Sequence, residues 1–434
     1  MSRIHHLRAR PVLDSRGNPT VEVDVVLEDG AFGRAAVPSG ASTGKYEALE
    51  LRDQDSREYF GRGVTHAVSN IERVIRPEVI GVDAQDQQAL DEKLIALDGA
   101  ESKKRLGGNA ILGVSLAVAK AAAASAGLPL FGYLGGIQAT ELPLPMVNIL
   151  SGGAHGGGNM DFQDFLVIPL RAASFSDALQ DAVAVFRAMK DVLRTRGVLT
   201  AGVADEGGYA PKLEANETGL ELMVEAIERA NLKPGKDAAI AVDVAASQFE
   251  QQDGYHLRAE GVIVESSELI RRLERWAEKY PVISLEDALG EEDWSGWRSL
   301  TSRLSHRCQL IGDDIFVTHP ERLLKGVREG VANSILIKTN QIGTLTETLR
   351  VMFLARRSAY EVVVSARSGE TEDDFMADLA VATGAGQIKI GSVTRSERLA
   401  KYNRLLRIEE TLGDRARYRG AAVFDRFRRP QGAD

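Results

Sequence analysis

The sequence predicts an α/β protein in which a (β/α) barrel forms the larger, C-terminal part and a smaller α+β module precedes it. Three observations predict it. Short apolar runs at 239–243, 282–286, 309–313, 334–338, 361–367 and 387–389 each end in a charged residue and lead towards a helical stretch. From Glu286 onward the charged ends stand 22 to 29 residues apart, by difference of position, which accommodates one strand and one helix per step. The N-terminal texture differs: two β-like runs joined by a tight turn, then helices. Apolar strands without alternation belong to a parallel sheet covered on both faces, and several such units in a row close a barrel whose site lies where the strands end.

Taken in order, 21–27 and 31–37 read as strands joined by Glu28-Asp29-Gly30, a hairpin with an Asp-Gly turn. The Gly/Ser loop Pro38-Ser39-Gly40-Ala41-Ser42-Thr43-Gly44 follows, and helical patterns cover 65–80, 86–97 and 109–126. Asn109 is the expected N-cap of the last, with Gly127 past its end and Pro129 as a stop. These elements make a module of residues 1–135, and the barrel takes 140–434. Residues 142–170 hold two strand-like runs around a glycine-rich loop, so the barrel is expected to begin irregularly. A hairpin around Asp253-Gly254 is expected as an insertion at 246–265. The arginine-rich end, with Arg415, Arg417, Arg419, Arg426, Arg428 and Arg429, reads as a solvated tail or a dimer-edge contact.

Composition narrows the function. The chain has 434 residues, enough for a barrel plus a second domain, and 44% hydrophobic content suits a soluble protein with a large core. A balance of 53 basic against 62 acidic residues gives net −9, which disfavours nucleic acid as the main partner. Cys308 is the one cysteine, so no internal disulfide framework exists, in keeping with a reducing cytosol. The start carries no apolar run of signal-peptide type. The apolar stretch 111–130 is alanine-rich and interrupted by Lys120, a buried helix and not a membrane span. A soluble, cytoplasmic protein is expected.

The chemistry sits at the strand ends. Asp243, Glu286 and Asp313 are three carboxylates at successive ends, hard oxygen donors of the kind Mg²⁺ takes together with substrate oxygens. Each alone could cap a helix or pair with a lysine; their common register argues for a metal. Lys338 and Lys389 end two further runs. A lysine beside another cation and a bound metal loses preference for its ammonium form and can act as a base, although a buried salt bridge to the carboxylates is the alternative. Arg367, with Ser368 beside it, offers a planar fork for phosphate or carboxylate. Glu206 lies in Ala204-Asp205-Glu206-Gly207-Gly208, where a carboxylate can be a general acid or can merely brace a turn. The glycine-rich run 152–158 carries His155 and lacks the strand–loop–helix setting of a nucleotide cradle, so it reads as a flexible loop.

Several long segments together resemble enolase: Asp14-Ser-Arg-Gly-Asn-Pro-Thr20, Pro38-Ser-Gly-Ala-Ser-Thr-Gly44, Asn109-Ala-Ile-Leu-Gly-Val-Ser-Leu116, Asp205-Glu-Gly-Gly208, Lys338-Thr-Asn-Gln-Ile-Gly343, Arg367-Ser-Gly-Glu-Thr-Glu372 and Arg395-Ser-Glu-Arg-Leu-Ala-Lys401. The resemblance spans nearly the whole chain. It implies an enolase-type barrel behind a small α+β domain, usually assembled as a homodimer, with a higher oligomer open, acting on a small anionic phosphorylated substrate. It implies two Mg²⁺ per site, the tighter on Asp243, Glu286 and Asp313 and the second joined by Ser42. It implies that Lys338 takes the C2 proton of 2-phosphoglycerate and Glu206 protonates the departing hydroxyl. Arg367, Ser368 and Lys389 would fix the phosphate and carboxylate ends, beside His155 and Asp164. Removing a proton next to a carboxylate puts a second negative charge on that group, which divalent ions can hold.

The chain departs from the family pattern at a few places. Ser151 stands for Asn, Asp164 for Glu, Gln248 for Glu, Ala288 for Pro and Ala366 for His. Asp164 and Ala366 fall where the family surrounds the phosphate and leaving-hydroxyl end. Two active readings stay open: a divergent enolase, or a paralogue taking a 2-phosphoglycerate with a bulkier phosphate end, such as a carboxyphosphonoenolpyruvate synthase of phosphonate antibiotic biosynthesis. A third, an inactive enolase-fold scaffold, would have lost metal ligands or the base, and all of these are present.

Overall fold

The computed structural model describes residues 2–40, 44–198 and 202–427. Ser42 therefore lies outside the described residues. The N-terminal sheet has three antiparallel strands, Ile4–Leu13, Pro19–Leu27 and Phe32–Ala36. The first of these is an addition to the sequence reading. Its inward positions Ile4, Leu7 and Ala9 are broken by a register shift after Ile4, which hides the alternation. The helix Gly108–Ser125 lies directly on this sheet. A Cβ at Gly33 would stand 2.1 Å from the Ala117 carbonyl oxygen, so only glycine lets strand and helix meet this closely. That helix is apolar and long enough to span a membrane, yet its residues are mostly buried inside the protein. Its N-cap is Gly107, not Asn109. The Asn109 side chain instead accepts the Leu51 N–H and donates to the Leu51 carbonyl, tying the helix start to the preceding segment.

The barrel closes in the order Val282–Glu286, Gln309–Gly312, Ser334–Ile337, Glu361–Ser365, Gln387–Gly391, Leu144–Ser151, Asp164–Pro169 and Ala238–Asp243. All neighbours are parallel except Asp164–Pro169, which runs against both of its own. That is the irregular beginning expected of residues 142–170, and it has a chemical consequence. A reversed strand places its first residue, Asp164, at the end of the barrel where the parallel strands finish, paired in register with Asp243.

Strand alternation then decides what faces inward. Ala239 and Ala241 join the interior cluster while Ile240 and Val242 pack outward, so Asp243 continues the inner row. The same parity carries Ile311 to Asp313 and Leu336 to Lys338. At the start of their strands, Gln309 donates to Gln387 at 2.7 Å and to Ser334 at 3.1 Å, a fully buried amide layer. The apolar interior, which includes Ile311 and Leu336 on the mouth side of that layer, is completed by Val423, Phe424 and Phe427. The C-terminal segment is thus a plug, not a solvated tail. Arg417–Tyr418 pairs with Glu141–Leu142, and Arg426 reaches Glu361 at 3.0 Å; Arg428 and Arg429 lie outside the described residues. The insertion near 250 adds a third strand to the expected hairpin, as Glu250–Gln251, Gly254–Leu257 and Val262–Val264.

Cys308 is fully buried, and burial pushes its thiol up to about 12. The native protein should leave Ellman's reagent unreacted at pH 8, and one thiol should react once denaturant unfolds the chain. Prompt reaction of the native thiol would mean that the barrel wall around residue 308 opens.

Candidate active site

The charged strand ends converge. His155, Glu206, Asp243, Asp313, Lys338, Ala366, Arg367, Ser368 and Lys389 line one cavity at the barrel mouth, with Asp164 and Glu286 just behind its wall. Residues separated by more than two hundred positions meet because parity and strand direction aim them at one point.

Lysines bind the carboxylates. Lys389 Nζ lies 2.6 Å from Asp243 Oδ2 and 2.7 Å from Glu286 Oε1, and Lys338 Nζ donates to Asp313 Oδ2. Amides brace the same groups: Gln163 donates to Asp243 Oδ2 at 3.0 Å and Gln341 to Asp313 Oδ1 at 3.0 Å. Burial, then the neighbouring Asp243 charge, hold the Glu286 carboxyl well above its usual range. Burial and Asp313 push Asp314 up to about 7. Burial alone would raise Asp313, but Lys338, Arg367 and Lys389 together outweigh it and hold this carboxyl below its usual range. For Lys338 itself, burial opposes the charged form and Asp313 with Glu286 outweighs it, so the amine sits above its ordinary range. The depressed lysine expected from the sequence is therefore not what the protein groups produce by themselves.

The donor set suits a hard divalent cation. Three carboxylates face two ammonium groups, and Glu286 Oε2 is buried without a hydrogen-bond partner among the described residues. Behind them Asp287, itself in a left-handed conformation at φ 41°, accepts the Asp313 and Asp314 N–H groups at 2.9 and 2.8 Å and fixes that strand end.

On the other side of the mouth, His155 Nδ1 is 3.0 Å from Asp164 Oδ2. Burial opposes the imidazolium, but Asp164, Glu206 and Asp243 together prevail and raise its pKa. Asp164 Oδ1 accepts from Ser151 at 2.9 Å and from Asn148. Two departures from the family pattern, Ser151 and Asp164, are therefore bonded partners, and the short carboxylate is held back by a short hydroxyl. Glu206 is buried, and burial raises its carboxyl above the usual range. Arg398 stands 4.0 Å from it. Gln248, another departure, meets Gln163 and accepts the Ala154 N–H at 3.1 Å, so it anchors the glycine-rich loop. Ala366 is 5% exposed, donates its N–H to the Lys389 carbonyl and is among the residues that line the cavity.

Two groups escaped the sequence reading. Arg398, fully buried, donates to the carbonyls of Arg367, Ser368 and Ile390 at 2.6, 2.6 and 3.1 Å and so shapes the turn that carries Arg367. Glu47, from the N-terminal domain, pairs with Arg367 at 3.1 Å. Arg398 lies inside one of the segments that carry the family resemblance, which was its available signal; Glu47 had none beyond following the Gly/Ser loop.

The family model described as the enolase C-terminal TIM barrel domain matches residues 139–427, and that of the enolase N-terminal domain matches 4–134. The chain is similar to a protein named Enolase from Acidothermus cellulolyticus, 57% identical over 427 residues, covering 98% of this chain and 99% of that protein.

Replacing Arg398 by Met should cost about 3–5 kcal/mol of stability, since it strips the donors from buried carbonyls and a cation from Glu206. Urea denaturation measures it; a loss under about 1 kcal/mol, the scale of an ordinary hydrogen bond, would mean that water replaces the guanidinium. With the domain matches and the full-length relative in view, the chain belongs to the enolase family and is an enolase-type hydro-lyase.

Proposed function

We propose that the chain dehydrates 2-phosphoglycerate to phosphoenolpyruvate. The observation that carries this reading is the meeting of Lys338, Glu206 and three carboxylates at one cavity that also holds the Arg367 fork. Lys338 removes the C2 proton, and Glu206, whose burial favours the protonated carboxyl, delivers a proton to the departing hydroxyl. Arg367 and Ser368 hold the phosphate end, with Lys389 among the carboxylates steadying the other. Asp243, Glu286 and Asp313 would hold the tighter Mg²⁺, with Ser42 joining a second. Magnesium bound there would supply positive charge against the substrate carboxylate and would compete with Lys338 for the Asp313 charge. The reading includes two domains, 1–135 and 140–434, and a homodimer working in the cytoplasm.

A second reading has a specific observation behind it. Ala366 lines the cavity where the family has an imidazole, and Asp164 is drawn back onto Ser151 and Asn148. Both changes leave room at the phosphate end, which suits 2-phosphoglycerate carrying an extra group there, as a carboxyphosphonoenolpyruvate synthase would use.

Phosphoenolpyruvate formation with Mg²⁺ separates the two. Under the first reading the wild type turns over 2-phosphoglycerate efficiently, chelation abolishes the activity, and Lys338→Ala lowers kcat by about 10²–10⁴-fold, the usual worth of a positioned base. Weak turnover by a protein that still binds Mg²⁺ would favour the second. Ala366→His supplies a further arm: it should raise activity on 2-phosphoglycerate under the first reading and obstruct a larger substrate under the second.

A further inference from the structure

The Arg367 guanidinium is buried and faces two carboxylates. Glu47 touches it through both oxygens, Oε2 to Nη1 at 3.1 Å and Oε1 to Nη2 at 3.4 Å, and Asn340 Oδ1 accepts from Nη1 at 2.8 Å. Asp313 attracts the same charge from the metal side of the cavity. Glu47 is itself firmly placed. Its Oε1 accepts the Gly44 N–H at 3.0 Å and the Gln341 amide at 3.3 Å, and the next residue, Ala48, donates its N–H to the Gln341 carbonyl at 2.7 Å. The carboxylate is therefore fixed from the N-terminal domain and from the segment that follows Lys338 together.

A guanidinium between two acids goes to the nearer, better-oriented one. With Glu47 charged and pinned, the fork is held at the side of the cavity away from Asp313. Without that charge, Asp313 becomes the strongest carboxylate attraction on the fork, and the fork would shift towards a carboxylate that the metal and Lys338 both need. We propose that Glu47 is a positioning residue that holds Arg367 off the acidic wall and presents it to the anionic group of the substrate. This rests on the reading of Arg367 as the anion fork. Because the fork grips the same anion before and during reaction, loss of its orientation weakens ground state and transition state alike, and the effect falls on KM and not on kcat.

The test compares wild type, Glu47→Gln and Glu47→Asp. Glu47→Gln keeps the shape and removes the charge. It should raise KM for 2-phosphoglycerate and the dissociation constant of inorganic phosphate, measured by titration calorimetry, each by about tenfold to a hundredfold, as for the loss of a charge-assisted hydrogen bond. Its kcat should stay within about threefold of wild type. Glu47→Asp, which restores the charge on a shorter stem, should recover most of both constants, and it keeps the proposal open to refutation if the Gln variant folds poorly. A purely structural role would instead lower the melting temperature and kcat with KM unmoved. Unchanged KM and unchanged phosphate affinity in a folded Glu47→Gln, with the wild type active, would overturn the proposal and leave the proposed function standing. A wild type inactive on 2-phosphoglycerate whose phosphate affinity still drops on Glu47→Gln would do the reverse. A wild type that binds no phosphate overturns it outright.

Discussion

Buried like charge is the constraint around which the barrel mouth is built. Asp243, Glu286 and Asp313, with Asp287 behind them, are removed from water within one strand-end layer, and Asp314 beside them is half-buried. Charges so placed are costly unless each has a partner, and carboxylates in contact push one another towards protonation. Lys389 serves Asp243 and Glu286 together, Lys338 serves Asp313, and the Gln163 and Gln341 amides take remaining lone pairs. The balance is incomplete, with Glu286 Oε2 still unpartnered among the described residues. A site whose carboxylates outnumber its own lysines could hold a cation.

That arrangement needs a rigid frame, and two domains supply it. The turn carrying Arg367 is clamped from below by Arg398 and from the side by the N-terminal domain. Ser15 donates its N–H to the Glu370 carbonyl at 2.7 Å, and Ser39 and Gly369 exchange N–H···O bonds at 2.8 and 2.9 Å. A Cβ at Gly369 would meet Asp14 Oδ2 at 2.6 Å and the Ser39 carbonyl oxygen at 2.7 Å, so the approach of the two domains requires glycine there. Lys120 reaches across to Asp373 at 2.7 Å, and Lys401 holds Glu370 at 2.9 Å. The N-terminal module thus acts as a wall of the active site, and Glu47 reaches from that wall to the Arg367 fork.

Much of this was legible in the residues. Continuous apolar runs and their regular spacing are local properties, and they pointed to the parallel strands, their charged ends and the meeting of Asp243, Glu286, Asp313, Lys338 and Arg367. The reversed strand Asp164–Pro169 showed only as irregularity, because strand direction depends on neighbours far away in the chain. Ile4–Leu13 was hidden by a register shift and by Pro11. The C-terminal plug was obscured by its arginines: Val423, Phe424 and Phe427 are spaced too sparsely to announce a buried face. Asn109 looked like a cap because its residue type favours caps, while its tertiary partner Leu51 decided otherwise. Without a metal the Lys338 amine sits high because Asp313 and Glu286, brought beside it from distant strands, together outweigh burial.

The central claim, that the mouth is a carboxylate cluster outnumbering its own lysines and able to hold a cation, is tested most directly by melting the wild type and Glu286→Gln with and without Mg²⁺. Wild type should gain stability with Mg²⁺, about 2.7 kcal/mol at a hundredfold excess over Kd. Metal-free Glu286→Gln should be at least as stable as metal-free wild type, since one of the crowded charges is gone, and should lose most of the Mg²⁺ response. A wild type indifferent to Mg²⁺, or a metal-free Glu286→Gln that melts lower and keeps the full response, would contradict it.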